Sequence, residues 1–499
     1  MDSTRVGDSL TRGAAWMMLF KFAERSVGLL STLILARLLT PADFGLVAMA
    51  TAVVGLMELM GAFGFDIALI QRQNAQRAHY DTAWTFNALF SIAVALLLLL
   101  LTIPAANFYH EPRLLWILPV LALGALIQGF ENIGTVAFRK ELNFKKEFRF
   151  LLAKKLASFV VTIALALTFR SYWALVAGIV TGRVFSVWIS YKLHPYRPRF
   201  SLSARHDLFH FSKWLFFSNL VLFLQHKSAD FILGRIVGAH GLGIYSVALE
   251  IAVMPSTELI APLNRAIFPV YSRLSNDIAA LRRKFLEVFG VIALIAIPAS
   301  TGLACIAAPA VLVILGSQWV EAIPLLRLFA FAGLVGALQS NLHLVIVALG
   351  KPKANTLVSA VTLLISLPIF IFASFRYGVM GAAWSYLVFA LVSLCTIQVV
   401  FLRLTGVKVR AYLATIWRPA ISSLALAGVI LGIGGLFDIQ AKEGQNLLKL
   451  LSLIFVGVLT YSVSILGLWR ISGKPHGAEK AILDFLSIKW NSRKKGSTV

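Results

Sequence analysis

The sequence predicts an all-α polytopic membrane protein, with about 14 transmembrane helices in two parallel-repeat six-helix lobes plus two extra helices. Three observations carry this. Hydrophobic residues make up 59% of the 499 and charged residues only 14%. The apolar residues gather in blocks close to the roughly 20 residues that a helix needs to cross a bilayer core. A segment also recurs about two hundred residues along the chain, the signature of a duplicated unit.

The blocks run 14–38, 42–64, 83–104, 114–136, 151–169 and 172–192, then 213–235, 242–264, 287–312, 324–348, 355–375 and 380–402, and finally 412–436 and 446–469. The first is too long for a signal-peptide core and no small-residue cleavage pattern follows it, so it is expected to stay as a helix. Residues 1–13 form a cytoplasmic, interfacial lead-in. Thr40-Pro41-Ala42-Asp43 joins blocks one and two as a tight turn, Pro breaking one helix and Asp capping the next. Blocks one to six make an N-lobe, 14–192. The basic, Pro-containing stretch 193–212 reads as an exposed inter-lobe loop. Blocks seven to twelve make a C-lobe, 213–402. Blocks thirteen and fourteen occupy 412–469, and 470–499 is a basic cytoplasmic tail. Pro255, Pro262, Pro298, Pro309 and Pro368 lie inside blocks, where each removes a backbone hydrogen bond and tends to kink its helix.

The repeat is read from residues. Leu35 to Met49 is LARLLTPADFGLVAM and Leu233 to Val247 is LGRIVGAHGLGIYSV, so Arg37 and Gly45 match Arg235 and Gly243. Asn132 and Asn341 follow Gly124 and Gly333 at equal spacing, and Phe169-Arg170 is answered by Phe375-Arg376. Both copies start on the same side of the membrane. The expected symmetry axis then runs along the membrane normal and lets two lobes rock about a central site.

A net charge of +24 would suggest nucleic acid in a soluble protein. Its distribution says otherwise. With the N-terminus in the cytoplasm, about 31 of the 46 Lys and Arg fall on inside segments and about six outside. Arg139 to Arg149, Lys192 to Lys213, Arg265 to Lys284 and the tail with Arg493, Lys494 and Lys495 are the inside clusters. This is the positive-inside pattern. It predicts both termini in the cytoplasm and basic loops touching anionic membrane lipids, with no nucleic acid as partner. Cys305 and Cys395 both fall in apolar blocks, so no disulfide framework or metal cluster is offered. No phosphate-cradling Gly loop, metal-spaced His pair or nucleophile elbow occurs. No catalytic residue, metal or cofactor is therefore expected, and outside connections of about ten residues or fewer leave no room for an extracytoplasmic catalytic domain.

Ionisable groups at membrane depth cost about 3 kcal/mol each on insertion scales and call for a partner. Lys154, Lys155, Arg327, Arg418 and Lys449 sit near block ends, where a long side chain reaches the interface. Lys21, Arg25, Arg183 and Lys227 lie deeper and are the candidate substrate-binding cations. Lys21 and Arg25, four apart, share a helix face and repel, while Glu24 compensates only one of them. Such a site suits an anion. The other reading is an internal network, Lys21 with Glu24 and Lys227 with Asp230. Glu24, Glu58, Asp230, Glu250 and Glu258 are candidate coupling or charge-balancing acids, with Glu131 alongside, and Asp66 reads as a capping or interfacial residue.

LARLLTPADFG, ADFILGRIVGAHGLGIYSVA, LGSQWVEAIPLLRL and ALGKPKANT resemble the Wzx-type polysaccharide flippases. The likeness is to the colanic-acid and teichuronic-acid exporter branch of the multidrug/oligosaccharidyl-lipid/polysaccharide exporter superfamily, and it spans roughly residues 10 to 430. It implies a V-shaped, two-lobed, multi-pass transporter of the bacterial plasma (inner) membrane, not an enzyme. Such a protein moves an undecaprenyl-diphosphate-linked oligosaccharide from the inner to the outer leaflet by alternating access, for exopolysaccharide or lipopolysaccharide biosynthesis. Polysaccharide polymerase and export machinery are its implied partners. The resemblance covers Asp230, Gly234 and Gly243 rather than the cations, whose role is read from depth. A lipid II-type flippase and a cation-coupled multidrug exporter of the same fold are the alternatives. An integral-membrane polymerase or ligase would need larger outside loops.

Overall fold

The apolar blocks become helices in the computed structural model, which describes residues 3–59, 64–72, 74–434, 443–475 and 477–480. No strand occurs among the described residues. α1 spans Ser3–Leu38, so the lead-in is helical from Ser3 onward. Its end has a local cause. Asp43, in the first turn of α2 (Pro41–Leu59), accepts the Thr40 amide at 2.9 Å and the Thr40 hydroxyl at 2.7 Å. Pro41 meanwhile places a residue without an N–H where that group would have no partner. The other Asp43 oxygen takes the Tyr172 amide at 3.2 Å, tying this turn to a distant one. Asp43→Ala is expected to cost about 2 kcal/mol. Thermal unfolding in detergent should show this as a lowered midpoint, with Asp43→Asn losing less because it keeps an acceptor.

α3 (Phe65–Gln71), α4 (Arg77–Tyr109), α5 (Leu114–Gln128), a 3-10 turn at Ile133–Thr135, α6 (Val136–Lys140), α7 (Phe144–Phe169) and α8 (Trp173–Leu193) follow. α7 packs on α8, α8 on α5, α5 on α4, and α1 on α7. The α7–α8 pair closes on small residues, with the Ser158 hydroxyl donating to the Gly178 carbonyl at 2.8 Å. Asn132, fully buried, accepts the Gly134 amide at 2.9 Å and donates to the Tyr196 carbonyl at 2.7 Å. Its repeat equivalent Asn341 is equally buried and takes the Tyr271 hydroxyl at 3.1 Å. Both asparagines satisfy buried polar groups that lipid cannot.

The stretch after α8, expected as an exposed linker, is an extended strap held along the start of α4. Asp81 accepts the Tyr196 hydroxyl at 2.5 Å and the Arg199 amide at 2.8 Å. Thr85 and Thr82 hydroxyls accept the Ser201 and Ala204 amides at 3.0 and 3.2 Å. Burial pushes the His194 imidazole below its ordinary pKa. At the far end of α4, the Arg113 guanidinium 2.8 Å away holds the Glu111 carboxyl below the usual carboxylate range.

α9 (Arg205–Met254) breaks at Gly238, whose φ of 71° is open to glycine at little cost. Beyond the break the two copies of the repeated motif meet. A Cβ added to Gly45 would stand 1.7 Å from the Ala239 carbonyl oxygen, and one on Gly243 would stand 1.8 Å from that of Pro41. Pro41 and Ala239, like Gly45 and Gly243, hold equivalent positions of the repeat. The contact is therefore reciprocal.

The chain divides into two compact units, Met1–Ile244 and Tyr245–Val499, inside α9. In the second unit a π-helical turn at Pro255–Ile260 leads to α10 (Ala261–Arg273), α11 (Ile278–Cys305), α12 (Ala307–Ala310), α13 (Ala322–Ala348), α14 (Pro352–Thr405), α15 (Val409–Gly434) and α16 (Glu443–Ile471). α14 breaks at Gly378 with φ 61°. Phe285, Phe289, Phe401 and Tyr412 stack where α11, α14 and α15 converge. The basic inside segment expected from Arg265 to Lys284 is largely helix, since α10 runs to Arg273 and α11 starts at Ile278.

Ten described helices are long and apolar enough to cross a membrane, or eleven if α5 and the bent segment Ile133–Lys140 count as one span. The expected fourteen is not reproduced as a count, and the difference has physical causes. α9 and α14 each count once, although about 50 residues at 1.5 Å each far exceed a core about 30 Å thick. α1 carries Lys21, Glu24, Arg25 and Arg37 within one span's length.

Candidate functional site

The first unit holds two adjoining cavities. One, about 360 Å³, lies between α1, α7 and α8 and is lined by Lys21, Glu24, Lys154, Lys155 and Arg183. The other, about 350 Å³, is lined by Glu58, Asp66, Asn87, Glu131 and Asn132. Gln128, at the end of α5, lines both. Two contacts connect them. Arg183 Nη2 sits 2.7 Å from Glu58 Oε1, and the Ser186 hydroxyl donates to Glu131 Oε2 at 2.6 Å. The result is polarised: four cations with one acid on one side, three acids on the other.

Arg183 is the hinge of this arrangement. It projects from the middle of α8, and Gly124 on α5 leaves room for it, a Cβ there standing 3.3 Å from Arg183 Cδ. The side chain is 15% exposed, and its Nη1 is buried with no hydrogen-bond partner among the described residues. A guanidinium with one fork arm neutralised and the other free suits a second oxyanion.

The remaining sequence candidates divide. Lys21 lines the cationic cavity and pairs with Glu24 at 2.7 Å. Arg25 is exposed on α1 and Lys227 pairs with Asp230 at 2.7 Å on α9, and neither lines these cavities. Glu58 faces Arg183. Glu250 and Glu258 belong to the second unit, on α9 and the π-helical turn. Both i,i+3 pairs expected of an internal network are formed. Among the described residues no cluster of three or more metal-ligating side chains occurs. The expected basic tail residues Arg493, Lys494 and Lys495 lie outside the described residues.

Three placements correct the sequence reading. Lys154 and Lys155 are not helix-end residues, because α7 starts at Phe144 and puts them about three turns in. Its first turns, FKKEFR, are helical but too polar to register as an apolar block. Arg418 likewise lies well inside α15 and is buried. Asp66 opens a separate short helix, α3, and faces a cavity. The spacing of Lys154, Lys155 and Ser158 on one helix could have flagged this face.

Fold and cavities together define a multi-pass helical membrane protein with a polarised, charged interior. The chain belongs to the family described as polysaccharide biosynthesis protein, whose profile matches residues 34–324. It is 24% identical over 431 residues to the lipopolysaccharide biosynthesis protein WzxC of Escherichia coli (strain K12), covering 85% of this chain and 87% of that one. The succinoglycan biosynthesis transport protein ExoT of Rhizobium meliloti (strain 1021) is 26% identical, with 66% and 68% covered. Among solved structures, the lipid II flippase MurJ in an inward closed conformation superposes with a TM-score of 0.73 at 14% identity, covering 91% of this chain and 99% of that chain. That last likeness establishes a shared fold.

Proposed function

We propose that the protein flips an undecaprenyl-diphosphate-linked oligosaccharide repeat unit from the inner to the outer leaflet of the bacterial plasma membrane by alternating access. It does so for exopolysaccharide or lipopolysaccharide biosynthesis, as a transporter with both termini in the cytoplasm, upstream of polymerase and export machinery. The observation that carries the reading is Arg183, whose Nη1 lacks a hydrogen-bond partner among the described residues beside a cavity holding Lys21, Lys154 and Lys155. A diphosphate supplies the several acceptor oxygens these donors need. Arg25 and Lys227 act as field sources, and the acids of the neighbouring cavity, with Asp230, Glu250 and Glu258, balance charge or couple an ion. The names of WzxC and ExoT support polysaccharide cargo. A carrier of organic cations would not line a cavity with four cations to one acid. The N-lobe and C-lobe of the repeat are the bodies that move.

Cells lacking the protein should accumulate lipid-linked repeat units facing the cytoplasm, and the intact gene should clear them. Unchanged leaflet distribution would sink the reading. Lys154→Gln combined with Lys155→Gln is expected to cut export about tenfold, each lost charge-assisted contact contributing part. Polymer release per membrane-inserted protein is the measure.

A further inference from the structure

The second unit contains a buried guanidinium that the transport reading does not use. Arg418 lies about two and a half turns into α15 and is 8% exposed. Its Nε and Nη1 have no hydrogen-bond partner among the described residues. Ser422, one turn on and on the same helix face, is fully buried with its hydroxyl also unpartnered. Against these donors stands one carboxylate, that of Glu479. Glu479 Oε1 is 3.4 Å from Arg418 Nε, longer than the 2.7–2.9 Å of a good charge-assisted bond.

That carboxylate arrives on a short returning segment. After α16 the chain turns back, with Trp469 Nε1 donating to the Pro475 carbonyl at 3.2 Å. Ala478 then lies against α11 at Gly290, where an added Cβ would come within 3.2 Å of its side chain. Gly477 has no side chain beside Arg418 Nη2 and Glu479. The seat is rich in donors and poor in acceptors, and a loosely held acid fills it.

We propose that Arg418 and Ser422 form an anion site for a phosphate group, for which the Glu479 carboxylate is an internal stand-in. The long Glu479 contact leaves Arg418 Nε and Nη1 and the Ser422 hydroxyl without a hydrogen bond among the described residues, while a phosphate presents three acceptor oxygens or more. Exposed Lys408 and Arg410 at the start of α15 would draw an anion toward it. An anionic lipid headgroup and free phosphate share this chemistry. The site lies within the second unit and is independent of the cargo.

Native mass spectrometry of the full-length protein in detergent tests it, with phosphatidylglycerol, phosphatidylcholine or inorganic phosphate added. Wild type should retain phosphatidylglycerol over phosphatidylcholine. Glu479→Gln, which removes the competitor, should raise that retention several-fold, and Arg418→Gln should abolish the preference. Arg418→Lys should keep only part of it, having charge without the fork. If inorganic phosphate competes the lipid away at millimolar concentration, the site takes the free ion as well. Equal retention of both lipids by all four proteins, with no effect of phosphate, overturns the proposal. Should Arg418→Gln fail to fold, Glu479→Gln decides, since it leaves Arg418 in place.

Discussion

Arg183→Ala is expected to stop polymer export almost completely while the protein still inserts in the membrane. The side chain bridges two cavities, holding Glu58 at 2.7 Å with one arm and leaving Nη1 without a hydrogen-bond partner among the described residues. Its removal deletes a substrate donor and leaves the Glu58 carboxylate, lining one cavity with Asp66 and Glu131, without its counter-charge. Arg183→Lys keeps the charge but not the fork, so it should restore only part of the export. Glu58→Gln separates the two roles. If Arg183 acts through substrate, Glu58→Gln frees a second arm and leaves the thermal midpoint near that of wild type. If the pair is purely structural, Glu58→Gln should lower the thermal midpoint as far as Arg183→Ala does. That result would remove Arg183 from the proposed site.

Replacing Gly45 or Gly243 by Ala should be nearly as damaging, for a steric reason. The added methyl would lie 1.7 or 1.8 Å from a carbonyl oxygen of the opposing segment, well inside contact distance. Backbone cannot swing aside like a flexible side chain, so α2 and the part of α9 just past Gly238 must separate. A loss of about 2–3 kcal/mol, the upper part of the range for overpacking, is expected for each. Because the contact is reciprocal, the double variant should cost less than the sum of the two, the first substitution having already opened the gap. Gly28→Ala, with nothing within 4 Å, is the control and should unfold like wild type. Thermal midpoints in detergent read all four proteins, and wild-type midpoints for both single variants would show that the close approach is not kept.

Much of the architecture was legible because it depends on local chemistry. The Thr40-Pro41-Ala42-Asp43 turn, the apolar blocks and the gaps between blocks at which α9 and α14 break are each specified within a few residues. The candidate site was legible only in part. Lys21 with Glu24 and Lys227 with Asp230 are three apart on one helix, so their pairing is fixed by helical spacing. Arg183 with Glu58 is not, since helical periodicity names a face but not the helix opposite. Lys154 and Lys155 were missed because a charged first turn hides where α7 starts. Hydropathy records the apolar part of a helix, not its true ends.

What the sequence determined by itself, then, is a membrane-spanning helical chain of the polysaccharide biosynthesis family, for burial in lipid demands long apolar helices whatever their partners. Tertiary structure alone decided that α1, α7 and α8 gather four cations, that the acids fall in the next cavity, and that the two motif copies meet glycine to glycine. Those choices are made by packing between distant segments, where shape and charge must match across helices that the sequence leaves unpaired.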